Sequence, residues 1–241
     1  MVFLELFSGS KIMSKIFKQN GWNVFNVDWK EESDLNIDIL NLKTIDIIKL
    51  CGSTPDIIWA SPECTCFSLA ARDTHLKKEK NGSYTPKTPK AEHDIKTIKH
   101  VLNLIKELNP KIWFIENPVG KLSKMNFMPN KYLQKVDFCM YGLPIKKQTH
   151  LWCNHSLNFW KCNHDKHLSW DEYKAKKNHL ERAILPIVFC ETICWYCKWI
   201  FNQIELKKIH EQLKDELNEL TNIKEILKTQ NDKTRNPNGW K

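Results

Sequence analysis

Glycine is scarce in this chain, with only 7 in 241 residues, and none falls in a Gly-Lys-Ser/Thr step or a full Gly-x-Gly-x-x-Gly run. A loop that cradles phosphates in either of those ways is therefore disfavoured. No apolar stretch approaches the length needed to span a bilayer, so no membrane partner is expected. No secretory start is seen. Met1-Val2-Phe3-Leu4-Glu5-Leu6 runs straight into an acidic residue and a glycine turn, which reads as a strand rather than a signal peptide. No internal repeat is present, which argues against a solenoid. Paired disulfide spacing is missing too. The 9 cysteines are an odd number, so they are expected to be reduced, in a cytoplasm, and available for catalysis or metal.

The sequence is rich in positive charge. Its 37 Lys and Arg exceed its 28 Asp and Glu, giving a formal net charge of +9. That balance favours a polyanionic partner, nucleic acid first, with a generally basic surface as the alternative. The length allows one α/β domain with a small appendage and a full core.

From 1 to 120, short apolar runs alternate with helical patterns, as in a doubly wound parallel sheet. Strands are predicted at Val2 to Leu6, Asn23 to Val27, Asp56 to Trp59 and Lys111 to Ile115. Helices are predicted at Lys11 to Asn20, Ile45 to Leu50 and Glu92 to Leu108. Residues 72 to 90, polar and lysine-rich, read as a long mobile loop. Beyond 130, strands are expected at Val136 to Tyr141 and Thr149 to Cys153, and a buried helix at Ala183 to Phe201 despite Pro186. A charged amphipathic helix follows from Glu205 to Gln230. The implied organisation is 1–152 catalytic, 153–181 a reduced recognition segment rich in His and Cys, 182–202 a closing helix, 203–230 the amphipathic helix and 231–241 a tail.

Two turns carry the chemistry. Ser61-Pro62-Glu63-Cys64-Thr65-Cys66-Phe67-Ser68 follows the apolar run Ile57-Ile58-Trp59, and Glu116-Asn117-Pro118 follows Ile112 to Ile115. Both are strand ends on one edge of a parallel sheet, where α/β proteins place ligands. A thiolate and a carboxyl held together can attack a ring and protonate it. Asp28, closing the second strand, is where a carboxylate meets a ribose diol.

These residues, with the turn Phe7-Ser8-Gly9-Ser10, resemble the cytosine-C5 DNA methyltransferases of compact phage or prokaryotic type. The resemblance runs over roughly residues 1 to 152, in the family's motif order. It implies a Rossmann-like S-adenosylmethionine-dependent fold. Phe7, Ser8, Gly9, Ser10, Asp28, Trp29, Asp38, Ile39, Ser61 and Pro62 would then hold the cofactor. Cys64 would be the nucleophile, Glu116 would act on cytosine N3, and Asn117 would order its loop. Tyr141 to Pro144 with Lys146-Lys147-Gln148 is similar to a motif whose cations touch phosphate and base, which assigns Lys147 to the site. The substrate implied is double-stranded, cytosine-containing DNA with a flipped base, in restriction or self-protection. Departures are Lys11 for a glycine, Glu63 for a proline, Thr65 for a glutamine, and Lys147 and Thr149 for arginines. Lys11 and the small recognition region leave open a weak or inactive relative that only binds nucleic acid. An RNA cytosine-C5 methyltransferase is a further alternative.

Two patterns stand outside that resemblance. Cys153 and Cys162 with Cys194 and Cys197 form a chemically reasonable zinc set, near His155, His164 and His167. The alternative is unlinked core cysteines and surface histidines. Leu206, Leu213, Leu220 and Leu227 repeat every seven residues, supported by Ile209, Leu217 and Ile223. That seam suits either a homodimer through the C-terminal helix or packing on the chain's own domain.

Overall fold

A computed structural model describes residues 1–30 and 32–235. By backbone contacts the chain divides into two units, Met1–Cys194 and Trp195–Lys241. The first unit is built on strand β1 (Val2–Leu6), helix α1 (Ile12–Gln19), β2 (Asn23–Asp28), β3 (Leu35–Asn36), α2 (Thr44–Cys51) and β4 (Ile57–Ala60). It continues with β5 (Leu76–Lys78), β6 (Tyr84–Pro86), α3 (Pro89–Leu108), β7 (Ile112–Pro118), β8 (Leu133–Asp137), β9 (Gln148–Cys153), α4 (Trp170–Lys176) and α5 (His179–Ala183). Helix α6 (Ile187–Arg235) begins in the first unit and makes up the described part of the second.

Seven strands form one sheet in the order β3-β2-β1-β4-β7-β9-β8. The first five are parallel, and β9 runs antiparallel to both β7 and β8. The central strands are unbroken apolar runs because both their faces are covered. All four residues of β4 and the first six of β7 are buried. Strand order reverses between β1 and β4. The carboxyl ends of these strands therefore open into a crevice, the place where such sheets take ligands.

The expected helix over 92–108 starts earlier, at Pro89, because Thr88 caps it. The Thr88 hydroxyl accepts from the Ala91 N–H at 3.3 Å, and proline suits the first helical position. Gly21, at φ +83°, ends α1 as expected.

Four expectations need correction. The long loop at 72–90 is a hairpin, β5 against β6, with Leu76 fully buried in the core. Its Asn81-Gly82 turn, with Gly82 at φ +82°, carries hairpin chemistry that the lysine content obscured. The strand expected at Val136 to Tyr141 is shifted: β8 ends at Asp137, and Phe138–Tyr141 is a 3₁₀ turn. The helices expected at 183–201 and 205–230 are one helix. It starts only after Pro186, whose carbonyl accepts from Cys190 N–H at 3.1 Å, since proline fits the start of a helix but not its interior. That helix runs on to Arg235, and the remainder of the expected tail, 236–241, lies outside the described residues. Finally, the stretch Glu181–Lys228 holds an 18-residue window apolar enough, by length and composition alone, to cross a membrane, with 39% of it buried inside the protein. Glu191 and Lys198 interrupt the apolar residues at the start of α6, so no unbroken apolar run is seen there.

Near its start α6 buries Phe189, Cys190 and Ile193. The Phe189 ring meets Trp59, Phe138 and Tyr141 at centroid distances of 6.2, 4.9 and 5.5 Å. In the second unit Leu206, Leu213, Leu220 and Leu227 are exposed.

Candidate active site

The turn after β1 is tight and strained. Phe7 (φ 60°) and Lys11 (φ 54°) both occupy the left-handed region, and Lys11 N–H donates to the Ser8 carbonyl at 2.6 Å. A non-glycine residue there costs roughly 1–2 kcal/mol, which is the physical reason for a glycine at the place Lys11 holds. Asp28 ties this turn to the next one. Its carboxylate accepts from Gly9 N–H at 3.1 Å and from Lys30 N–H at 2.9 Å.

Two cavities open along the carboxyl edge and share Phe7. One, of about 280 Å³, is lined by Phe7, Trp29, Asp38, Ile39, Pro62 and α3 residues including His93. The other, of about 370 Å³, is lined by Ser8, Gly9, Ser10, Ser61, Glu116 and Glu5, among others. Every residue expected to hold a cofactor thus lies in these walls, apart from Asp28, which braces the turn between them. Ser8 Oγ is buried and has no hydrogen-bond partner. An orphaned hydroxyl facing a cavity beside an aromatic and aliphatic wall fits a ligand with a polar end and a flat ring system.

The cysteine turn and the glutamate turn are locked together. Asn117 Nδ2 donates to the Pro62 carbonyl at 3.0 Å, and Lys121 N–H donates to the Phe67 carbonyl at 2.7 Å. Gly120 is needed for this approach, because a Cβ there would stand 2.2 Å from the Phe67 oxygen. Cys64 heads a turn in which its carbonyl accepts from Phe67 and Ser68 N–H at 3.0 and 2.9 Å. Glu63 reaches Lys90 of α3 at 2.7 Å, so the residue standing in place of a proline anchors the loop by a different route.

Glu116 is buried, and Thr149 donates its hydroxyl to Oε1 at 2.5 Å. Burial raises the Glu116 pKa, against the pull of Lys147, Thr149 and Ser61. Burial also raises the Cys64 thiol; the charge of Glu116 adds to this and Lys147 opposes it. Lys147 itself donates to the Arg182 carbonyl at 3.1 Å. The structure therefore brings Cys64, Glu116 and Lys147 within reach of one another's charge, while Asn117 ties the two turns together. Cys66, by contrast, is fully buried, with its thiol pushed up to about 12 by burial and by Asp94. An inert thiol results.

The chain is 31% identical over 158 residues to a protein of frog virus 3 (isolate Goorha) that bears the name Probable DNA (cytosine-5)-methyltransferase, covering 63% of this chain and 70% of that protein. The chain belongs to the DNA (cytosine-5)-methyltransferase family. No family model matches it. Among solved structures it is similar to an E. coli prophage-encoded protein assigned as a DNA modification methyltransferase (15% identity, 64% of this chain, 46% of that one, TM-score 0.45). Another is a mutant of Spodoptera frugiperda DNMT2 (21% identity, 68% and 53% covered, TM-score 0.38). The chain spans about half the length of these two structures.

Sequence reading missed two residues of this methyltransferase-family site. Thr149 stands where an arginine is common, yet it is the residue that holds Glu116. Nothing in the sequence signalled this: Thr149 reaches Glu116 because it pairs with Pro118, two residues on from Glu116, across the β7–β9 ladder. The other is Glu5, buried in β1 at the cavity wall, which accepts from the Ser14 N–H at 2.9 Å and from the Ser14 hydroxyl. Its carboxyl is pushed from 4.5 up to about 7 by burial, against those hydrogen bonds.

Glu5 thus binds its proton more tightly folded than unfolded. The resulting stabilisation is full below pH 4.5 and is lost as pH rises through about 7. At about 1.36 kcal/mol per unit, the loss is on the order of 3 kcal/mol. Glu5→Gln keeps an acceptor for Ser14 and removes the titration. Urea unfolding of the variant at a series of pH values should lack that decline. An unchanged slope across this window would assign the pH dependence to another group.

Within the first unit, Cys153 of the expected zinc set stands apart from the cluster that Cys162 joins. Cys153 is buried at the end of β9, where its sulfur accepts from His155 N–H at 3.3 Å. Among the described residues, the metal-ligand atoms that converge belong to Cys139, Cys162, His164 and His167. Only Cys162 comes from the expected set. Spacing along the chain favoured Cys-x-x-Cys in α6, whereas the loop after β9 returns to the turn after β8.

Proposed function

We propose that this chain transfers a methyl group from S-adenosylmethionine to C5 of a flipped cytosine in DNA, through a covalent bond between Cys64 and cytosine C6. The observation that carries this is the grouping at the carboxyl edge of β4 and β7: Cys64, Glu116 and Lys147 act on one another's charge, Asn117 ties the two turns together, and Glu116 stands in the wall of the Ser8 cavity. S-adenosylmethionine, when bound, supplies an electrophilic methyl on a sulfonium.

The residues divide the work. Cys64 adds as thiolate to C6, and Glu116, whose proton affinity burial raises, gives a proton to N3 so that charge does not build on the ring. C5 becomes enamine-like and nucleophilic. After transfer, water takes the C5 proton as the C6–S bond breaks and the thiolate leaves, and N3 returns its proton to Glu116. Lys147 offsets the negative charge that the pair shares. The walls built from Phe7, Trp29, Asp38, Ile39 and Pro62 suit the adenosine end of the cofactor. The net charge of +9 suits the phosphate backbone.

A duplex carrying 5-fluorocytosine tests this reading, because fluorine cannot leave as the C5 proton does. With S-adenosylmethionine present, a denaturation-resistant protein–DNA adduct is expected. Neither adduct nor 5-methylcytosine on any duplex would overturn the proposal, and an adduct on RNA alone would reassign the substrate.

A further inference from the structure

We propose that Cys139, Cys162, His164 and His167 bind a structural zinc ion that pins the recognition segment to the end of β8. The proposal stands apart from the catalytic reading, since none of these residues belongs to the Cys64 site.

The geometry points to a single ion. The four ligand atoms lie within 4.8 Å of one another. Cys162 Sγ is 3.4 Å from His167 Nε2 and 3.8 Å from His164 Nδ1. In a tetrahedral site with ordinary zinc bond lengths, ligand atoms stand about 3.3–3.8 Å apart. The imidazoles of His164 and His167 are nearly perpendicular, at 89°, so each aims a nitrogen at the same sulfur without stacking. Two thiolates and two imidazoles suit zinc, and four protein ligands leave no open position, as in structural rather than catalytic sites.

The local fold explains why a clamp is useful there. Between β9 and the turn before α4 the chain has no helix or strand of its own, and most residues from 161 to 168 are exposed. Such a long irregular stretch has little burial to hold it. It is tied at its ends: Trp160 stacks on Tyr141 at 5.5 Å, and Leu168 N–H donates to the Pro144 carbonyl at 2.9 Å. Between those ties, Cys162 N–H donates to Asp137 Oδ2 at 2.9 Å, and the other oxygen of Asp137 accepts from Gln148 at 2.7 Å. Asp137 thus orients a ligand residue from the last position of β8, two residues before the buried Cys139. Metal binding there would convert a polar loop into a fixed platform carrying Lys161 and Lys166.

The test uses the full chain, purified without chelator or polyhistidine tag. Elemental analysis should find about one zinc per chain. After exchange into cobalt(II), absorption should show thiolate-to-cobalt charge transfer and the intense visible bands of a tetrahedral centre. Cys162→Ser and His167→Gln lie on the loop and should leave the far-ultraviolet circular dichroism unchanged while weakening zinc binding at least about tenfold. Cys153→Ser should keep the metal. Substoichiometric zinc, a cobalt spectrum without thiolate bands, a Cys139–Cys162 disulfide in the purified protein, or metal lost in Cys153→Ser but retained in Cys162→Ser would each overturn the assignment.

Discussion

Cys64→Ser should abolish methyl transfer, with a loss of more than about a thousandfold, while S-adenosylmethionine binding stays within a few-fold of the parent. Serine keeps the size and the turn, in which the backbone carbonyl at 64 does the hydrogen bonding. It cannot supply an anionic sulfur at neutral pH. The walls proposed for the cofactor lie elsewhere, at Phe7, Trp29, Asp38 and Ser8. Cys66→Ala is the matched control. Its thiol is buried and held protonated, so its loss should cost stability through a small cavity and leave the rate per folded molecule nearly intact. Single-turnover transfer of labelled methyl groups, with cofactor binding followed by calorimetry, reads both outcomes. Activity surviving in Cys64→Ser and lost in Cys66→Ala would move the nucleophile by two residues.

How much of this was legible beforehand depended on what each residue has to satisfy. The strands of the parallel core were legible because burial on both faces leaves continuous apolar runs, as at Ile57–Ala60 and Ile112–Ile115. The site was legible where backbone chemistry fixes residue type: Gly9 and Asp28 at turns, Pro62 before the cysteine, Asn117 bridging to the Pro62 carbonyl. Residues whose role comes only from tertiary neighbours were not legible. Thr149 needs β9 to run antiparallel beside β7 before it can reach Glu116. Glu5 reads as a break in an apolar strand until Ser14 of α1 arrives to bond it. The members of the His/Cys cluster come from both sides of β9, whereas sequence spacing alone grouped Cys162 with Cys153, Cys194 and Cys197. The hairpin at 76–86 was obscured because its lysines mark exposure, and exposure is shared by loops and edge strands alike.

Glu116→Gln should slow transfer by about 10²–10⁴-fold and change the shape of the pH profile. The glutamine carbonyl can still accept the Thr149 hydroxyl, so the loop keeps its position while the acid is lost. In the proposed mechanism, the productive pair in the parent is a Cys64 thiolate with a protonated Glu116, one proton between two groups. Burial raises both pKa values, Glu116 from 4.5 and Cys64 from 9.0, with mutual charge repulsion adding to the thiol's shift. The singly protonated pair dominates between the two apparent values, so the kcat/KM profile should be a bell that falls on the acid side as the pair gains a second proton and on the alkaline side as it loses its last. In Glu116→Gln the acid is absent and the only requirement is the thiolate. The rate should then climb with pH to an alkaline plateau. The midpoint should lie below the alkaline limb of the parent, because the neighbouring negative charge that raised the thiol is gone. Thr149→Val serves as the positioning control, keeping the acid but removing its hydroxyl donor, and it should retain the bell with a smaller drop in rate. A Glu116→Gln enzyme within tenfold of the parent, with the same alkaline fall, would mean that N3 takes its proton from another group.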